Sequence, residues 1–122
     1  HPGNLLWTPE GPVFLDFDDM LVGPAAQDVW MLAPSFDAEG ARQRQVLLEG
    51  YTDQRDFDPA WLGLVEPLRA LRFIHYSTWI ARRFDDPTFR RTFGHFGTVR
   101  YWQREVQDLR EQIARIDQQR WG

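Results

Sequence analysis

Asn4 and Asp16 are the residues of this chain whose types and spacing most directly suggest chemistry. Each stands at the end of a short apolar run, Leu5-Leu6-Trp7 or Val13-Phe14-Leu15, and Pro9-Glu10-Gly11-Pro12 lies between the runs. Proline and glycine in that connector mark a tight turn, so the pattern predicts a β-hairpin over about residues 5–18. Its open end would bring the Asn amide oxygen and the Asp carboxylate together on one divalent cation. Mg²⁺ suits such a pair, because it takes hard oxygen ligands, commonly one or two from protein, and leaves room for water and phosphate oxygens. The chemistry this arrangement serves is phosphoryl transfer.

The neighbouring polar residues have supporting parts. Asp18 lies two positions beyond Asp16, hence on the same side of an extended segment. There it would reach the metal through water or brace the loop; the alternative for Asp18 and Asp19 is a turn closed by their own side chains. His1 would orient the loop that carries Asn4, unless, as a first residue, it is simply mobile.

The elements that must hold these groups follow from punctuation and periodicity. Gly23-Pro24 breaks the chain, and Pro24 opens a helix to about Ala33 with Val29, Trp30 and Leu32 on its apolar face and Pro34 at its end. A second helix is predicted from about Asp37 to Thr52, with Asp37 as N-cap and Glu39 in the first turn. A third begins after Asp58-Pro59, bends or restarts at Pro67, and continues to about Phe84. Leu64, Leu68 and Leu71 stand at helical spacing, and Phe73, Ile74, Trp79 and Ile80 spread the apolar surface almost all round, which predicts a central, buried helix. Asp86-Pro87 opens a short turn or helix, and Phe93 to Gly97 reads as a loop. The last helix spans about Thr98 to Gln119. Its Val99, Trp102, Val106, Leu109, Ile113 and Ile116 alternate spacings of three and four, over fewer than three heptads, so a terminal helix packed on its own domain is expected before a coiled-coil seam.

Totals bound the function. The chain has 122 residues, one domain at most, and its hydrophobic fraction of 43% with nine Phe, six Trp and three Tyr argues against disorder. A formal net charge of -4 gives no electrostatic case for nucleic acid. No apolar run reaches the roughly 18 residues of a membrane-spanning helix. The absence of cysteine excludes disulfides and thiolate metal sites and agrees with a cytoplasmic location. All fourteen basic residues are Arg, so any step that needs a lysine must draw it from outside this chain.

The opening residues resemble the aminoglycoside phosphotransferase and choline kinase group, whose fold is similar to that of protein kinases. His1-Pro2-Gly3-Asn4 looks like the second half of its catalytic-loop motif H-G-D-x-H-x-x-N. Leu15-Asp16-Phe17-Asp18 looks like the later metal-binding segment, and Gly23-Pro24-Ala25-Ala26-Gln27-Asp28 like the Gly-Pro segment that follows it. Glu66-Pro67-Leu68-Arg69-Ala70-Leu71-Arg72 and Tyr101-Trp102 extend the likeness over nearly the whole chain, towards a bacterial serine/threonine protein kinase of this fold. The resemblance implies an α+β, mainly α fold: the helical C-terminal lobe, residues 1–122, with the hairpin followed by a helical core over about 24–119. It implies that Asn4 and Asp16 hold Mg²⁺ against ATP phosphates, and that Asp28 is a buried residue tying the loop to the helices. It also implies what is missing. The catalytic Asp would sit two positions before His1, and the nucleotide lysine belongs to an N-terminal lobe absent from this chain. The isolated chain is therefore expected to bind ATP weakly and transfer nothing. The acceptor is a hydroxyl, on protein Ser/Thr or, as the runner-up, on an aminoglycoside, choline or homoserine.

Two other readings stand beside this one. Val13 to Val22 also looks like the first motif of haloacid dehalogenase-type phosphatases, with Asp16 as nucleophile and Asp18 as general acid. Met20 occupies its Thr position, its lysine is absent, and no alternation of strands and helices follows. A non-catalytic helical interaction module would use the Val99 to Ile116 stripe. His75 reads as a core histidine, His95 as a loop residue with no second His at metal spacing. Arg82-Arg83 and Arg90-Arg91 read as local ion-pair partners of Asp85-Asp86, and the tryptophans as packing.

Overall fold

Leu5–Thr8 (β1) and Gly11–Phe14 (β2) pair antiparallel in the computed structural model, with Leu5 opposite Phe14 and Thr8 opposite Gly11. Pro9 and Glu10 make the turn. The proline ring holds φ near −65°, which excludes the usual primed hairpin turns. Gly11 follows at φ 122°, a value that a residue with a Cβ rarely adopts. The Thr8 hydroxyl closes the turn, donating to the Gly11 carbonyl at 3.0 Å and accepting from the Glu10 N–H at 3.3 Å.

The structure describes residues 1–118, which divide into two compact units between Leu62 and Gly63. In the first unit the hairpin is followed by α1 (Ala26–Leu32) and α2 (Ala38–Thr52). Ala26, Val29 and Trp30 of α1 are buried, and the Trp30 indole N–H donates to the Gln27 side-chain oxygen at 3.0 Å. The Asp37 carboxylate caps α2 by accepting the Gly40 N–H at 2.8 Å. Arg44 reaches back from α2 to the carbonyls of Ala33 and Ser35, which fixes the α1–α2 connection. Tyr51, Phe57 and Trp61 stack edge to face at 5.7 and 5.4 Å, and a 3-10 helix, Pro59–Leu64, leads out of the unit.

The second unit contains α3 (Val65–Arg83), α4 (Pro87–Thr92) and α5 (Val99–Gln118). The helix expected from Pro59 begins as the 3-10 helix and restarts as α3 at Val65, and Pro67 does not bend it. α3 begins two residues before Pro67, and a proline in the first turn lacks only an N–H that has no intrahelical acceptor. Asp86 caps α4 through the Thr88 N–H at 2.7 Å. The Thr98 hydroxyl accepts the Tyr101 N–H at 3.2 Å at the head of α5. Gln119, the expected end of that helix, and Trp121 lie outside the described residues.

Two expectations of packing are corrected. α3 is not buried all round: Val65, Glu66 and Ile80 are buried, but Leu71 is 62% exposed and Ile74 and His75 are exposed too. Its packing partner is α5, and one helix can cover one face. Nor does α5 meet α3 through the whole apolar stripe. Val99, Trp102, Val106 and Ile113 are exposed and Leu109 and Ile116 are half-buried, while Tyr101, Glu105 and Gln112 make the polar contacts with α3. Ser77 Oγ lies 2.7 Å from the Tyr101 hydroxyl and donates to Glu105 Oε2 at 2.8 Å. Gln112, 1% exposed, donates to the Glu66 carbonyl at 2.9 Å and to the Glu66 carboxylate. The fold class is as expected, mainly helical with one antiparallel hairpin.

Candidate metal centre

The ladder of the hairpin continues one step past its strands. The Leu15 N–H donates to the Asn4 carbonyl at 2.9 Å, so Asn4 stands opposite Leu15 and Asp16 is the next residue along. The register thus places the Asn4 and Asp16 backbones at neighbouring positions at the open end of the ribbon. Asn4 is held from the other side by a tight turn, Pro2–Asn4, in which His1 is the cap. His1 Nδ1 accepts the Gly3 N–H at 3.0 Å and the His1 carbonyl accepts the Asn4 N–H at 2.9 Å. A Cβ on Gly3 would fall 2.8 Å from the imidazole, so the glycine lets the ring lie against the backbone. His1 therefore caps the turn that carries Asn4.

Asp16 has φ 63°, the one non-glycine residue of positive φ among those described. Left-handed backbone is unfavourable for an L-residue, though Asp tolerates it better than most. This backbone turns the chain out of the ribbon two residues after β2. It also ends the extended segment. Asp18 lies within a turn closed by the Met20 N–H on the Phe17 carbonyl at 3.1 Å, so strand alternation does not carry it to Asp16's side. Asp28 is exposed in the first turn of α1, where a carboxylate complements the helix dipole, and not buried as the resemblance implied.

Among the described residues no group of three or more His, Asp or Glu is placed to hold a metal. Two hard oxygen donors fit Mg²⁺, which completes its octahedron with water and phosphate, and fit poorly a metal that needs a full protein cage. The sequence reading missed the left-handed Asp16 and the Gly3–His1 contact. Neither leaves a pattern in residue types alone, although Gly3 between His1 and Asn4 was the available hint.

The other polar candidates recede. His75 is exposed rather than a core residue, and His95 lies 5.8 Å, ring to ring, from Tyr101. Arg90 pairs with Asp85 at 3.4 Å. The phosphatase alternative requires a parallel sheet, and the described residues form one antiparallel hairpin.

The phosphotransferase enzyme family matches residues 1–65, more than half of the chain, and the chain belongs to that family. It is similar to stress response kinase A of Salmonella paratyphi A, 44% identical over 112 residues, which are 92% of this chain and 34% of the relative. A serine/threonine protein kinase RdoA of Salmonella typhimurium matches to the same extent, and stress response kinase A of Escherichia coli K12 is 43% identical over the same shares. The chain spans about a third of the length of these curated relatives. No solved structure matches it. No helix among the described residues is long and apolar enough to cross a membrane.

Proposed function

We propose that this chain is the helical C-terminal lobe of a cytoplasmic, ATP- and Mg²⁺-dependent kinase that phosphorylates protein Ser/Thr hydroxyls. The observation that supports the reading is the Leu15–Asn4 backbone bond, which leaves Asn4 and Asp16 at adjacent ladder positions in a chain of the phosphotransferase family. The names of the relatives support a kinase acting on protein.

In this reading Asn4 and Asp16 bind Mg²⁺, which when present neutralises and orients the β- and γ-phosphates of ATP, most of what phosphoryl transfer requires of an enzyme. His1 positions Asn4 through the Gly3 and Asn4 backbone. The left-handed backbone aims the Asp16 carboxylate. Asp18, in its turn, and Asp28, on α1, brace the segments on either side of the Gly23-Pro24 break. The proton acceptor for the substrate hydroxyl is the Asp expected just before His1, and the phosphate-binding lysine lies in the N-terminal lobe. That lobe also supplies cover for Leu6, Trp7, Phe14 and Phe17, which are exposed on and after the hairpin.

In the full-length protein, Asp16→Asn and Asn4→Ala each lower Mg²⁺-dependent phosphate transfer from ATP to a generic protein substrate by roughly a hundredfold or more. Undiminished transfer by Asp16→Asn overturns the assignment. Transfer to choline, homoserine or an aminoglycoside in place of protein replaces the acceptor and leaves the metal site standing.

A further inference from the structure

A formal charge of -4 conceals a division along the chain. Residues 1–62 hold eleven Asp or Glu against three Arg, and residues 63–122 hold eleven Arg against seven Asp or Glu. Six of those arginines, 82, 83, 90, 91, 100 and 104, are exposed and belong to one end of the second unit. Ring contacts join that end: Trp79 meets Phe89 at 5.0 Å, Phe84 meets Phe96 at 5.1 Å, and Phe96 meets Tyr101 at 4.9 Å. The last turn of α3, α4, the following loop and the head of α5 are thereby packed together.

Local structure accounts for part of this charge. Arg82, Arg83, Arg90 and Arg91 lie in the last turns of α3 and α4, where cations complement the helix dipole. Arg90 also pairs with Asp85, and Asp86 is committed to capping α4. Arg100 has no such account. It sits in the first turn of α5, where a cation opposes the dipole and no acidic residue offsets it. Arg82, Arg91, Arg100 and Arg104 form no ion pair among the described residues. Such a surplus is complementary to an anionic partner.

We propose that this end of the second unit is a docking surface for an acidic peptide segment of a partner protein. Acidic peptide is favoured over nucleic acid for two reasons. The rings between the arginines pack on one another and are half-buried apart from the exposed Trp102, which leaves one open ring and no series of stacking platforms. The chain as a whole carries a formal charge of -4, which gives no electrostatic case for a long polyanion, whereas a short peptide need touch only the arginines. That the docked protein is the phosphate acceptor rests on the proposed kinase function; the docking itself does not. If it is the acceptor, cationic amino alcohols are the wrong charge for this surface.

The test is fluorescence anisotropy with the full-length protein and a labelled Glu-rich peptide of about twelve residues, long enough when extended to cross one helical unit. Arg100→Gln/Arg104→Gln and, separately, Arg82→Gln/Arg91→Gln are expected to weaken binding about tenfold, the loss of two exposed ion pairs, with the Lys versions retaining it. Binding should fall as salt rises, and Arg42→Gln in the first unit should leave it unchanged. Equal affinity of wild type and both Gln variants overturns the proposal, as does tighter binding of an oligothymidylate of equal charge. No turnover is measured, so loss of the kinase reading and loss of the docking surface are separate outcomes.

Discussion

Asp16 pays for its position with backbone strain. At φ 63° an L-residue gives up on the order of 1 kcal/mol that glycine would not. Asp16→Gly is therefore expected to stabilise the chain by about 1 kcal/mol in urea unfolding while abolishing Mg²⁺-dependent ATP binding by the full-length protein, a separation of stability from function. A loss of stability would show that the carboxylate itself, and not its metal role, holds the loop. A second residue-scale expectation concerns acid. The Gly40 N–H, and after it the Ser35 hydroxyl, hold the Asp37 carboxyl below its usual range, and Arg42 does the same for Glu39. Groups with depressed folded pKa values stabilise fully above the unfolded value of 3.8 or 4.5 and lose that contribution as pH falls through the folded value. Asp37→Ala should thus lower the melting temperature at neutral pH by an amount that narrows below about pH 4.

At the scale of elements, two junctions decide the helices' placement. Gly40 is buried at the start of α2, and a Cβ there would lie 2.7 Å from the Ser35 carbonyl carbon and closer still to its oxygen. Backbone cannot yield as a side chain can, so Gly40→Ala should cost about 1–3 kcal/mol in chemical denaturation, well beyond the ordinary helix gain of alanine. Gly50→Ala, with open space around its added methyl, serves as the control and should stabilise. The second junction is Glu66 with Gln112, each almost fully buried. Gln112→Ala leaves the carboxylate without its amide donor and should cost about 1–3 kcal/mol. One oxygen of each side chain already lacks a hydrogen-bond partner within the protein, so the pair is only half satisfied. Glu66→Leu with Gln112→Leu should consequently recover most of that loss. A double-mutant cycle measures this, and additive losses would refute it.

At the scale of the whole molecule, the described residues bury few large apolar side chains and expose many. Leu21 is 90% exposed, and Trp7, Met20 and Val99 are each 74% exposed. So many exposed large apolar side chains suit cover by a partner or by another part of the same protein. If the chain is one lobe of a longer kinase, the isolated 122 residues should bind a hydrophobic dye strongly and self-associate, whereas the full-length protein should do neither. Equal dye binding by both would remove the lobe reading and leave the helical interaction module.

Residue types alone determined the hairpin, the caps at Asp37 and Asp86 and most helix limits, and they nominated Asn4 and Asp16 as the proposed metal pair. These are local: each depends on turn chemistry or on groups a few positions apart, and a short window contains them. Tertiary structure alone decided which face of each helix is used. The stripe from Val99 to Ile116 has the period of a packing face, yet only Leu109 and Ile116 of it are half-buried, and Tyr101, Glu105 and Gln112 make the polar contacts with α3. Periodicity reports that a helix has an apolar side; only the neighbours present decide whether that side is covered. The same holds at the proposed metal centre. Residue types nominated the two donors, and only the structure showed that Asn4 and Asp16 stand at adjacent ladder positions and that Asp16 has left-handed backbone.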